Sequence, residues 1–269
     1  MDATIGIIGG SGLYSLLDDA EEVNVETKYG KPSDAISIGT LFGKKVAFLP
    51  RHSRRHTIQP HRIPFRANID ALSQLGVVRV IATNAVGSLK PDYKPGELAL
   101  PDQFVNATHG RHDTFFDEDV VVHVSSAEPY CPQLRELAAG IAEKEKIPMH
   151  GSGTVVVING PRFSSKAESM AFSAQGHHMI GMTQYPEIVL AREKQICYMG
   201  IALVTDYDAG LAGRPDIKPV TNTEVTRISS QNIEKAVRVI SGMIKDMPSE
   251  RLCECSRALE GAVATKPQK

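Results

Sequence analysis

Two carboxylates stand two residues apart directly after a long apolar run, in Thr205-Asp206-Tyr207-Asp208. An Asp-x-Asp pair suits Mg2+ or Ca2+, but no further acidic or His cluster lies beside it in the sequence. Placed in an apolar site, the same pair raises its own proton affinity and can supply an acid near neutral pH. A group of opposite sign is Pro50-Arg51-His52-Ser53-Arg54-Arg55-His56. The planar Arg fork matches phosphate oxygens, although a solvated basic loop is the plainer account. A third group is Gly6-Ile7-Ile8-Gly9-Gly10-Ser11-Gly12. It approaches a dinucleotide fingerprint, yet Ser15 replaces the third glycine and no acidic residue follows at a clear strand end. Glycines there allow N–H groups to converge on one anion, with the Ser11 hydroxyl as a further donor; a tight turn explains them as well.

Three further segments carry polar groups in small-residue or Pro-containing contexts. Thr83-Asn84-Ala85-Val86-Gly87-Ser88-Leu89 reads as a strand entering a turn that lets backbone N–H groups approach a ligand. In Asn159-Gly160-Pro161-Arg162-Phe163-Ser164-Ser165-Lys166-Ala167-Glu168, Gly-Pro ends a strand, and Ser165 with Glu168 forms a capping box. Phe163 precedes that cap as a hydrophobic staple or as a face for a planar ligand ring. The last is Gly181-Met182-Thr183-Gln184-Tyr185-Pro186-Glu187.

These groups need a scaffold, and the periodicity supplies an alternating one. Strands are predicted over 4–8, 45–49, 77–82, 98–100, 103–105, 153–158, 179–182 and 197–205. Helices are predicted over 63–75, 132–146, 166–175, 187–194 and 223–247, the last capped by Thr221 or Thr223. The alternation predicts a single α/β domain over 1–269, with a mixed, mostly parallel central sheet flanked by helices and a flexible tail from about residue 257. The six polar segments fall at strand ends, where open α/β sheets bind ligands, so they are expected to converge.

Composition narrows the partners. The formal charge is −1, and the cations are scattered, which argues against nucleic acid. No stretch reaches the roughly 20 apolar residues of a bilayer span, and Met1-Asp2-Ala3-Thr4 lacks the basic start of a signal peptide. A cytoplasmic protein is the expectation. Cys131, Cys197, Cys253 and Cys255 are too few and too spread for a secreted disulfide scaffold. Cys253-Glu254-Cys255 has no second pair nearby in sequence to complete a zinc site. Ordinary thiols, or structural disulfides of a hyperthermophile, both remain open, and no metal is expected.

Taken together and in this order, the motifs resemble the trimeric purine nucleoside phosphorylase and methylthioadenosine phosphorylase family. The residues that carry the resemblance are Gly9-Gly10-Ser11-Gly12-Leu13, Arg51-His52, residues 160–165, Met182-Thr183 with Pro186-Glu187, and Thr205-Asp206-Tyr207-Asp208. The last points to the methylthioadenosine branch. The resemblance implies phosphorolysis of 5′-methylthioadenosine, with inorganic phosphate as co-substrate and no cofactor. It implies that Ser11, Arg51, His52, Asn84, Ala85 and Thr183 hold phosphate, with Arg51 and His52 as its basic ligands. Met182 would lie under the ribose, Phe163 near the base, and Asp206, Tyr207 and Asp208 at the purine, with Asp206 catalytic. Ser164 and Asn222 would set specificity; relatives with strict methylthio preference carry a small apolar residue where Asn222 falls. His123 resembles a residue that a neighbouring subunit brings to the 5′ end, which implies a homotrimer or a dimer of trimers. A broad-specificity or 6-oxopurine phosphorylase is the alternative enzyme, and a non-catalytic nucleotide-binding module the alternative of another class.

Overall fold

The computed structural model describes residues 3–10, 17–211, 216–217 and 220–265. Its strands are β1 (Ile5–Gly9), β2 (Asp18–Val23), β3 (Ile36–Leu41), β4 (Lys44–Pro50), β5 (Arg79–Ser88), β6 (Leu98–Ala99), β7 (Gln103–Ala107), β8 (Met149–His150), β9 (Thr154–Ile158), β10 (Met179–Gly181) and β11 (Cys197–Asp206). Its helices are α1 (Phe65–Gln74), α2 (Pro132–Lys144), α3 (Lys166–Ala174), α4 (Gln184–Glu193) and α5 (Asn222–Asp246). The α/β alternation and the mixed, mostly parallel sheet agree with the sequence reading. The sheet runs β2-β3-β4-β1-β5-β10-β9-β7, with β11 also on β5 and the short β6 and β8 beyond it.

Burial explains both the strands that were legible and those that were not. β1 and β11 are buried along their whole length and read as continuous apolar runs. β2 and β3 form an antiparallel edge hairpin that the sequence reading did not contain. β2 is Asp-Asp-Ala-Glu-Glu-Val, an acidic composition that hides strand character and suits an unpaired edge. Helices cover both faces. Phe65, Ile69 and Leu72 of α1 and Ile188 and Leu190 of α4 form one core with Ile8, Leu49 and Val80. Leu134, Ala138 and Ile141 of α2 and Ala236, Val239, Ile240 and Met243 of α5 form the other with Ile5, Ile7 and Met199. Thr221 caps α5 by accepting from the Glu224 N–H. Ser165 and Glu168 form the expected capping box on α3.

Two details of β5 prepare the site. The strand continues to Ser88, so the segment expected to be a turn is still sheet. On one side β11 pairs with it almost throughout. On the other, β1 stops at Ala82 and β10 begins at Gly87, leaving an open backbone edge over residues 83–86. The C-terminal segment is docked rather than free as far as Thr265: Val263 bridges Val122, and the Ala264 N–H donates to the Val121 carbonyl. Among the described residues, no helix is long and apolar enough to cross a membrane.

Candidate active site

The open edge of β5 floors a cleft of about 580 Å3, a volume suited to a small organic ligand. Gly10, Arg51, His52, Asn84, Ala85, Phe163, Met182, Thr183, Asp206, Asp208 and Asn222 all line it. Five of the six polar segments therefore contribute described side chains, and the sixth contributes Gly10. Ser11 lies outside the described residues.

One end is built to receive an anion. Arg51 follows β4 and is buried, with its Nε and Nη2 donating to the two carboxylate oxygens of Glu187 at 2.8 Å each. Its Nη1 donates to the Thr83 carbonyl on the open edge at 2.6 Å. A guanidinium has five N–H donors; with these three assigned, two remain. Burial pushes the Arg51 pKa down, and Glu187 more than restores it, so the cation is secure. Asn84 donates through Nδ2 to Thr183 Oγ1 at 2.8 Å, which leaves the Thr183 hydroxyl hydrogen to point elsewhere. The expected direct use of the Asn84 amide is thus shared with the task of orienting Thr183.

His52 departs from the expected basic ligand. Its Nδ1 lies 2.8 Å from the Ile58 carbonyl and must be the protonated nitrogen, since a carbonyl only accepts. Burial pushes the imidazole down to about 4, and the Arg51 and His56 charges act in the same sense. The ring is neutral at pH 7 and presents Nε2 as an acceptor. Arg54, from the same basic run, is tied to Glu22 and to Ser37 at the sheet edge, away from the cleft.

The other end holds the carboxylates. The β11–β5 register shifts between Val204 and Asp206, and such a bulge re-aims the residues around it. Both Thr205 and Asp206 reach the cleft as a result. Asp206 Oδ2 accepts from Thr205 Oγ1 at 2.6 Å, and Oδ1 accepts from the Asp208 N–H at 2.7 Å. Burial outweighs these bonds and raises the Asp206 pKa to about 6, with the Asp208 charge adding to the rise. Asp208 is also raised by burial, against the lowering effect of the Ser169 hydroxyl. Ser164 stands behind Asp208 rather than on the cleft wall.

Some expected residues are not brought together. Tyr207 is not in the cleft lining; its hydroxyl lies 3.4 Å from the Pro91 carbonyl. His123 is exposed outside the cleft, with its backbone N–H on the Ala262 carbonyl. Two contributors were missed. Glu187, fully buried, holds Arg51 and accepts from the Tyr198 hydroxyl. On α5, Val225, Thr226, Ser229, Ser230 and Ile233 extend the wall that the expected Asn222 begins. Their spacing is that of a single helix face, and Asn232 Nδ2 anchors the helix to the Val204 carbonyl of β11.

An anion end and an acid end facing each other across a cleft in a mixed α/β sheet describe a group-transfer enzyme acting on an anion and a base. Over residues 4–245 the chain matches the phosphorylase superfamily, and it belongs to that family. It is 51% identical to S-methyl-5′-thioadenosine phosphorylase of Thermofilum pendens over 261 residues, covering 96% of this chain and 98% of the relative. It is 48% identical to the enzyme of the same name from Saccharolobus solfataricus, covering 97% of each chain. Among solved structures it resembles a methylthioadenosine phosphorylase from an antarctic soil metagenomic library. That comparison has a TM-score of 0.92 and 39% identity, covering 99% of this chain and 94% of the other. It also resembles methylthioadenosine phosphorylase from Schistosoma mansoni in complex with adenine, with a TM-score of 0.89 and 31% identity over 97% of both chains.

Proposed function

We propose that the cleft carries phosphorolysis of 5′-methylthioadenosine to adenine and 5-methylthioribose 1-phosphate. The observation that carries this reading is the pairing, across one cleft, of the Arg51 end with a carboxyl at Asp206 whose pKa is near 6. Phosphate is held by the remaining Arg51 N–H groups, the Thr183 hydroxyl, the backbone at Ala85 and, as the resemblance implies, Ser11. The His52 Nε2 accepts a hydrogen bond from a protonated phosphate oxygen or from a sugar hydroxyl.

The chemistry follows from charge. Breaking C1′–N9 leaves positive charge on the sugar and negative charge on the purine. A phosphate oxygen supplies the electron pair that forms the new C1′–O bond, so neither an enzyme nucleophile nor a cofactor is required. The N9 electrons pass into the purine, and N7 takes the proton held by Asp206. Asp208 accepts from the exocyclic 6-amino group. A 6-oxo group presents an acceptor at that position and would leave the acidic oxygens unmatched, so adenine is favoured over hypoxanthine. A phosphorolysis assay with methylthioadenosine, adenosine and inosine tests the reading; fastest turnover of inosine would refute the role given to the two aspartates.

Asn222, at the first turn of α5, makes adenosine a second substrate, because a polar side chain on that wall tolerates a 5′-hydroxyl. Asn222→Val is expected to raise the preference for methylthioadenosine over adenosine by roughly tenfold, the order given by one polar-to-apolar change in a pocket. An unchanged ratio of kcat/KM values would remove Asn222 from the specificity wall.

Gly87 is required beneath the acid. A Cβ there would meet Asp206 Oδ1 at 2.9 Å and the Asp208 Cβ at 3.1 Å. Gly87→Ala is expected to lower kcat by about tenfold or more, since displacing a reacting group by a fraction of an ångström is enough. The KM for phosphate, read at the far end of the cleft, should stay within about twofold. Equal losses in both would show that the substitution disturbs the whole cleft.

The reading extends to a cytoplasmic salvage enzyme that recovers purine and thiosugar, with no nucleic-acid or membrane partner. It also includes a homotrimer or dimer of trimers, in which the exposed His123 of a neighbour closes the 5′ end of the cleft. Light scattering of the purified chain tests the assembly, and a monomer with full activity would rule out that role for His123.

A further inference from the structure

Cys131, Cys197, Cys253 and Cys255 come from three separate places in the sequence, yet their four Sγ atoms all lie within 4.8 Å of one another. Cys131 immediately precedes α2, Cys197 opens β11, and Cys253 and Cys255 sit at the short 3-10 turn Glu254–Arg257. The C-x-C that lacked a partner in sequence therefore finds its second pair in space. We propose that these four thiols form a structural tetrathiolate zinc site that fastens the C-terminal segment to the core.

Geometry is the first support. Zinc holds four thiolates at about 2.3 Å, which sets the sulfurs about 3.8 Å apart at the corners of a tetrahedron. The Cys253 Sγ is 3.6 Å from Cys131 and 3.4 Å from Cys197, nearly equidistant, as a shared centre requires and a pairing into bridges does not. All four thiols are buried.

Rigidity is the second support. The Cys131 N–H donates to the Tyr198 carbonyl, next to Cys197. The segment before the C-x-C is held by Arg79 on the Pro248 and Ser249 carbonyls and by Arg251 on the Gln195 carbonyl. Gln133, the second residue of α2, donates to the Glu250 carbonyl and accepts from the Leu252 N–H. The ligands are thus pre-positioned by neighbours, as metal sites require.

Charge is the third. Zinc with four thiolates carries a net charge of about −2. Arg79 is the register partner of Cys197 on β5, is itself buried, and has an Nε that makes no hydrogen bond among the described residues. Binding displaces the thiol protons to solvent and leaves four metal–sulfur bonds, with no change of oxidation state. The site lies at the start of β11, while Asp206 is at its end, so the metal has no part in the chemistry of the cleft.

The test is made on the full chain, expressed in zinc-supplemented medium and purified without chelator. Elemental analysis should find about one zinc per chain, and mercurial titration should release it as about four thiols are modified. Cys255→Ser should lower zinc content by about tenfold or more, lower the Tm by several degrees, and leave phosphorolysis at 25 °C within about twofold. A zinc-free protein would overturn the proposal, whether its cysteines are four reactive thiols or two bridges detected by mass spectrometry after alkylation. Iron in place of zinc would overturn the choice of metal. The wild-type measurement decides the matter even if the variant does not fold.

Discussion

Asp206→Asn is expected to cut the turnover of methylthioadenosine by about 100-fold or more, the scale of a lost general acid, while making the folded chain more stable. The two effects have one cause. Asp206 is 9% exposed, and burial lifts its pKa from about 3.8 to about 6. The native state therefore binds this proton more tightly than the unfolded chain does. Below about pH 4 both states are protonated, and the group's stabilising contribution is complete. As pH rises from about 4 to about 6, the unfolded chain ionises freely and the native state does not, so that contribution is lost. Each factor of ten in proton affinity corresponds to about 1.4 kcal/mol, so the native state is disfavoured by roughly 2–3 kcal/mol at pH 7. Asn carries no charge to bury and keeps an oxygen for the Asp208 N–H. Denaturant unfolding should show Asp206→Asn more stable by about 2 kcal/mol at pH 7, with the gain vanishing near pH 4. In the active enzyme, kcat/KM at saturating phosphate should fall on the alkaline side of a pKa near 6, and that limb should be absent in the variant. A variant that releases adenine at the native rate would take Asp206 out of the mechanism, whatever its stability.

The sequence revealed the groups proposed to react better than the groups that hold them. Arg51 and Asp206 were legible because a fork of donors follows one strand and paired acids follow another, at the ends where open α/β sheets bind ligands. Strand-end positions placed the segments of Thr183, Met182 and Asn84 at the cleft, while their individual roles came from the family resemblance. Tyr207, which the resemblance put at the purine, stands outside the cleft lining with its hydroxyl at the Pro91 carbonyl. The α5 wall was not legible, because Thr226, Ser229 and Ser230 at helical spacing look like a solvated face. They become a wall only because the core-facing stripe, with Ile228, Asn232 and Ala236, turns the adjacent stripe over the open edge of β5. The cysteine cluster was hidden for a similar reason: three elements far apart in sequence meet at the start of β11. The neutral state of His52 was equally out of reach, since it depends on burial and on a carbonyl at Ile58.

Glu187 is the clearest case of a holding residue, and its replacement by Gln is expected to destabilise the chain by about 3 kcal/mol or more. In sequence it is an ordinary acid behind Pro186 near the start of a helix, where the macrodipole favours a negative charge. In the fold it is fully buried, accepts two hydrogen bonds from Arg51, and accepts a third from the Tyr198 hydroxyl at 2.7 Å. Removing one partner of a buried ion pair leaves the other charge without compensation, at about 3–5 kcal/mol. Gln offers one neutral acceptor where Arg51 now has two charged ones, so the guanidinium also loses its fixed plane. Its two remaining N–H groups then no longer point in one direction, and kcat/KM for phosphate should fall by about tenfold or more. A second variant separates the two consequences. With Arg51→Met and Glu187→Met combined, no charge is left buried, and such replacements are often close to neutral in stability. The double variant should recover most of the stability lost in Glu187→Gln and none of the phosphate use. If Glu187→Gln unfolds at the same denaturant concentration as the native chain, the buried pair does not bear the weight assigned to it. If instead the double variant still uses phosphate, the anion is held by Thr183 and the open edge of β5, and Arg51 has only a structural part.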